Sequence, residues 1–161
     1  MNDEILRASE SLLQRCRSAG LTVATVESCT GGLLAGALTA IAGSSDVVER
    51  GLVTYTNEAK SELASVPARL IDTHGAVSEP VARAMAEGGL ANSRADIAVG
   101  ITGVAGPGGG TEAKPVGRVH IAAARRDGRA VHRRYLFSGD RTTVREASVL
   151  AAMGLVGRLL G

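Results

Sequence analysis

Apolar residues recur at helical spacing over residues 4–19, where Ile5, Leu6, Leu12, Leu13 and Cys16 share a face and Gly20 stops the run. Residues 21–26 switch to alternation with β-branched side chains and predict a strand. The Leu- and Ala-rich stretch 31–42 returns to helix, with Thr30 expected as its cap and Gly43-Ser44-Ser45 as its break. Residues 47–55 predict a second strand, irregular near Gly51. Asn57 is expected to cap a short helix carrying Glu58, Lys60 and Leu63, and 67–75 reads as a loop. Ser78 followed by Pro80 opens a helix to about Asn92.

The second half is richer in strand. Residues 96–101 form an apolar run bounded by turn signals, as a buried strand does. Residues 103–110, Gly-Val-Ala-Gly-Pro-Gly-Gly-Gly, read as a loop. Stretches 117–124 and 129–137 flank Arg126-Asp127-Gly128, a hairpin turn. Residues 141–160 close the chain as an amphipathic helix, with Val144, Ser148, Ala151, Leu155 and Leu159 on one side. The order α-β-α-β-α-α-β-β-β-α predicts an α/β fold with a mixed sheet and helices on both faces. No linker or repeat divides it, so one domain over 1–161 is expected.

Composition narrows the picture. With 161 residues and 45% hydrophobic content the chain can bury a sizeable core. Aromatics are only 2%, so that core must be aliphatic, and base stacking on an aromatic platform is disfavoured. A net charge of +2 does not point to nucleic acid. The arginines gathered in the last third read as solvated faces, or as one or two ligands of a small phosphorylated molecule. Cys16 and Cys29 offer neither a disulfide framework nor a metal motif, and His74, His120 and His132 lack zinc-pair spacing. No metal or cofactor is therefore expected. The acidic start lacks a basic segment leading into an apolar run, and no stretch reaches about 18 apolar residues, so neither a signal peptide nor a membrane span is expected. Cytoplasm is the default. Small apolar residues on the helices would permit a homo-oligomer and equally suit a core.

Four segments could carry chemistry. Glu27-Ser28-Cys29-Thr30-Gly31-Gly32 lies where a buried strand gives way to a helix. Unpaired N–H groups there, around Thr30 and Gly31, suit a phosphate or an oxyanion beside a Ser28 nucleophile; a plain helix cap with glycines for packing reads equally well. In Tyr55-Thr56-Asn57-Glu58-Ala59-Lys60, a buried Lys60 would lose its proton near neutral pH and act as a base, whereas a surface lysine would not. The loop 102–110 suits a ligand or a wide structural turn, and it is neither a P-loop nor a dinucleotide fingerprint. Arg141 and Arg145 share a helix face and could hold a phosphate or pair with Asp140 and Glu146.

Taken in order, Val26-Glu27-Ser28-Cys29-Thr30-Gly31-Gly32, Gly43-Ser44-Ser45, Arg50-Gly51, Val53-Thr54-Tyr55-Thr56-Asn57-Glu58-Ala59-Lys60, Gly75-Ala76-Val77-Ser78, Thr102-Gly103-Val104-Ala105-Gly106-Pro107-Gly108-Gly109 and Lys114-Pro115-Val116-Gly117 resemble the CinA C-terminal-domain family through about residues 5–160. The resemblance implies a three-layer α/β/α sandwich. It also implies a cytoplasmic amidase that hydrolyses nicotinamide mononucleotide (NMN) to nicotinate mononucleotide and ammonia. It makes Ser28 the nucleophile, Lys60 its activator, and Tyr55 and Ser45 helpers. It places Thr30, Gly31, Thr102, Gly103 and Gly106 near substrate, offers Arg145 for the phosphate, and leaves Cys29 as a packing neighbour. A nucleotide-binding module without turnover, associated with competence or damage, is the rival reading. An amidase of other substrate is a second one.

Overall fold

Strand β1 (Val23–Glu27) is buried at every position. The computed structural model describes residues 1–161 and shows why. Strand β1 pairs in parallel with β2 (Val48–Val53) on one side and β3 (Ile97–Gly103) on the other. Antiparallel β4 (Arg118–Arg125) and β5 (Ala130–Leu136) complete a mixed sheet of order β2-β1-β3-β4-β5. Helices α1 (Asp3–Ala19), α2 (Leu33–Thr39) and α6 (Arg141–Arg158) cover one face. Helices α3 (Asn57–Ala64), α4 (Ala68–His74) and α5 (Glu79–Ala91) lie on the other. The three-layer α/β/α expectation is met. No helix is long and apolar enough to cross a membrane.

The α1/α2/α6 face holds the larger core, in which Ile5, Leu13, Leu34, Ile97, Ile101 and Ile121 are fully buried. Each such side chain contributes roughly 1.5–3 kcal/mol. The opposite face is built on small residues. A Cβ on Gly89 would lie 2.8 Å from Val26 and 2.9 Å from Ala98, so α5 packs on β1 and β3 at backbone range. Low aromatic content and close helix–sheet approach are thus one design.

Four local expectations are corrected. Residues 68–74 form α4 rather than a loop, since Leu70 and Ile71 find a hydrophobic cluster beside Val66 and Val81. Helix α3 is capped by Thr56, whose hydroxyl accepts from the Ala59 N–H at 3.0 Å, one residue before the expected Asn57. The strand irregularity expected near Gly51 falls at Glu49, which is skipped in the pairing of β1 with β2. Helix α2 is shorter than its apolar run, and Thr30 does not cap it. Its N-cap is Gly32 at φ 100, and the Glu27 carboxylate takes the orphan N–H groups of Leu34 at 2.9 Å and Ala35 at 3.0 Å.

The chain leaves β1 toward α2 and β2, and returns through α3–α5 to β3 on the other side of β1. The carboxyl ends of β1 and β3 therefore face a topological switch point, where open α/β sheets hold ligands.

Candidate active site

Ser28 follows the last residue of β1, and its N–H still donates to the Ile101 carbonyl of β3 at 2.9 Å. A rigid sheet edge thus presents the side chain to the crevice. Lys60 reaches the same point from α3, the helix after β2. Its Nζ lies 2.9 Å from Ser28 Oγ, 2.9 Å from the Thr54 carbonyl and 3.3 Å from the Tyr55 carbonyl. Lys60 is 1% exposed and enters no ion pair with a carboxylate. Desolvation lowers its pKa below the ordinary lysine value. The surface-lysine alternative is thereby excluded.

The crevice is a cleft of about 310 Å³. Ser28, Cys29, Tyr55, Asn57 and Lys60 line one side of it, and Thr102 and Gly103 at the end of β3, with Gly106 of the glycine-rich loop that follows, line the other. The Thr102 hydroxyl donates to the Ala76 carbonyl at 2.9 Å, so it fixes the wall at Ala76-Val77. The Tyr55 side chain is exposed at the mouth, and its backbone carbonyl, not its hydroxyl, faces the Lys60 amine. The Arg141 guanidinium donates to the Tyr55 hydroxyl at 3.1 Å and to the Gly106 carbonyl at 2.8 Å, bridging the two sides of the cleft.

The turn after Ser28 is accounted for group by group. The Gly31 N–H donates to the Ser28 carbonyl and the Leu33 N–H to the Thr30 carbonyl, each at 2.9 Å. The Cys29, Thr30 and Gly32 N–H groups donate to no protein acceptor, and the pairing of the Gly31 N–H corrects the expectation for that residue. The Thr30 side chain is buried with its hydroxyl unpartnered, outside the lining of the cleft. Cys29 belongs to the large hydrophobic cluster, and burial pushes its thiol up to about 11. That disfavours the thiolate a cysteine nucleophile needs.

Two expected site residues stand elsewhere. Ser45 is exposed in the short helical turn Ser44–Asp46, which returns the chain from α2 to the start of β2. In a parallel β-α-β unit that connection lies at the opposite end of the sheet from Ser28. Arg145 does not line the cleft: it donates to the Cys29 carbonyl at 3.2 Å and the Thr30 carbonyl at 2.9 Å. Sequence reasoning missed the structural role of Glu27, a fully buried carboxylate clamping α2. Its signal was available: an acidic residue ending an apolar strand, immediately before a glycine-rich turn. No three His, Cys, Asp or Glu side chains lie close enough together to hold a metal ion.

The family model of the CinA C-terminal domain matches residues 6–160. A CinA-like protein of Mycobacterium sp. (strain JLS) is 58% identical over 142 residues, 88% of this chain and 34% of that protein. The chain thus spans about a third of the length of that relative. The nicotinamide-nucleotide amidohydrolase PncC of Escherichia coli (strain K12) is 49% identical over 152 residues, covering 94% of this chain and 92% of that one. Among solved structures, the competence/damage-inducible protein CihA of Agrobacterium tumefaciens superposes with a TM-score of 0.98 at 46% identity, over 100% of this chain and 98% of its own.

Proposed function

The chain belongs to the CinA C-terminal-domain family, and we propose that it is an amidohydrolase that converts NMN to nicotinate mononucleotide and ammonia through a Ser28–Lys60 dyad. The observation that carries this reading is the 2.9 Å approach of a buried lysine amine to Ser28 Oγ. A neutral amine has two hydrogens and one lone pair. The carbonyls of Thr54 and Tyr55 accept the hydrogens, which turns the lone pair toward the serine hydroxyl. The nucleotide substrate is supported by 49% identity to an enzyme named for that reaction, matched over nearly its full length.

Ser28 Oγ attacks the carboxamide carbon while its proton passes to Lys60 Nζ. The carbonyl π pair moves onto oxygen, and the unpaired N–H groups of Cys29 and Thr30 stabilise that oxyanion. Collapse expels the amine, which takes the proton from Lys60 and leaves as ammonia. Water then attacks the Ser28 ester, gives a proton to Lys60, and the acid departs as Ser28 regains its hydrogen. Arg141, the cation lining the cleft mouth, replaces Arg145 as the group that meets the phosphate.

Ammonia release from NMN tests the proposal. Ser28→Ala and Lys60→Arg should each lower kcat by at least about 100-fold, because arginine keeps the charge but cannot serve as the base. Normal turnover in either variant would defeat it.

A further inference from the structure

The strongest feature outside the dyad is the pair of contacts that Arg145 makes with the Ser28 turn. We infer that Arg145 is a positioning residue for the oxyanion donors: its guanidinium fixes and polarises the Cys29–Thr30 peptide. The inference rests on the dyad reading above.

Arg145 Nε donates to the Cys29 carbonyl at 3.2 Å, and Nη2 donates to the Thr30 carbonyl at 2.9 Å. The side chain is partly buried, forms no ion pair with a carboxylate and does not line the cleft. Its charge is therefore directed at two carbonyl oxygens. A trans peptide sets its N–H antiparallel to its C=O. A cation holding the Cys29 carbonyl turns the Thr30 N–H to the opposite side of the turn, and that N–H has no protein acceptor. Withdrawing electron density through the carbonyl makes the same N–H a stronger donor, as in any chain of hydrogen bonds. The turn is also fastened at its far end by Glu27, whose carboxylate binds the Leu34 and Ala35 N–H groups. The two opposite charges leave little freedom to the segment between them. A Cβ on Gly31 would lie 3.6 Å from Arg145 Nη2, so the arginine packs directly on the turn.

The test separates this role from phosphate binding and from plain folding. Arg145→Gln and Arg145→Lys are compared with the unaltered protein in two assays. The first is kcat and KM for NMN and for nicotinamide riboside, which lacks the phosphate. The second is the rate constant for labelling by a fluorophosphonate probe. In that reaction the Ser28 Oγ–P bond forms, the P–F bond breaks, fluoride leaves and the proton passes to Lys60, while the phosphoryl oxygen occupies the oxyanion position. Arg145→Gln should lower kcat for both substrates and the labelling rate together, roughly tenfold, less than the 10²–10³ that loss of a whole donor costs. KM should hold within about twofold, and Arg145→Lys should recover part of the rate. A raised KM for NMN alone, at constant labelling rate, would show a phosphate ligand and overturn the inference. So would a smaller labelled fraction reacting at the normal rate, with a lower melting temperature, which marks a structural role only. If the unaltered protein labels at Ser28 yet leaves NMN intact, the substrate reading fails, and the labelling rates of the variants still decide the role of Arg145.

Discussion

Lys60 has its amine buried, where its protein partners are two carbonyls and one hydroxyl. Burial there lowers its pKa from 10.5. The sign for activity follows from its proposed role as a base. The protonated amine is inactive, so kcat/KM should rise with pH through the lowered pKa and reach its plateau below pH 10.5. A rate still climbing in parallel with bulk lysine ionisation would contradict the assignment. Cys29, one residue from Ser28, has its side chain in the core. Cys29→Ala should keep kcat within about threefold and cost roughly 1–2 kcal/mol of stability from the cavity it leaves, measured by ammonia release and denaturant melts. At this scale the sequence was informative about Ser28 and Lys60, whose types and order are visible in it. It singled out Arg145 but offered it to the phosphate, because a guanidinium bound to carbonyls and one bound to phosphate look alike in a string of letters. The resemblance also drew Ser45 into the site, whereas the turn that carries it lies before β2, at the other end of the sheet from Ser28.

Helix α3 carries Lys60, and its position depends on a glycine in another helix. A Cβ on Gly88 of α5 would fall 1.6 Å from the Ala64 carbonyl at the end of α3. Backbone cannot yield there as a flexible side chain would. Gly88→Ala should push α3 off α5, lower stability by about 1–3 kcal/mol, and depress kcat well beyond the loss of folded protein, since an ångström of misplacement costs on the order of 100-fold. Equal activity per folded molecule would show that Lys60 does not depend on this contact. The elements with clear periodicity, α1, α5, β3, the β4–β5 hairpin and α6, are legible in the sequence because local pattern and tertiary burial agree in them. Helix α4 was not: its seven residues are too few for a periodic signal, and tertiary packing of Ile71 decides its state. The cap of α2 was misread because its acceptor, Glu27, lies outside the local window that capping patterns use.

For the molecule as a whole, strand order decides where the candidate site forms, by bringing Ser28 from the end of β1 and the glycine-rich loop from the end of β3 to one crevice. Away from it, β4 and β5 hold a stacked histidine pair, His120 Nδ1 and His132 Nε2 lying 3.0 Å apart, with Glu79, Arg83, Arg118, Arg133 and Arg134 around them. Desolvation and its neighbouring cations lower His120 from 6.5 to about 4. The unfolded chain therefore binds the proton first, and stability is full above pH 6.5 and lost as pH falls toward about 4. Melting temperature should drop across that window, by roughly 2–4 °C per kcal/mol withdrawn, and His120→Gln should flatten the drop. An unchanged slope in that variant would place the acid sensitivity elsewhere. The central claim concerns a covalent bond, and peptide mapping of the protein rapidly quenched during NMN turnover tests it most directly. The predicted result is a nicotinate mononucleotide ester on the peptide containing Ser28, confined to Ser28 by fragmentation and absent from Ser28→Ala. An adduct on Cys29, or full turnover by Ser28→Ala, would contradict it.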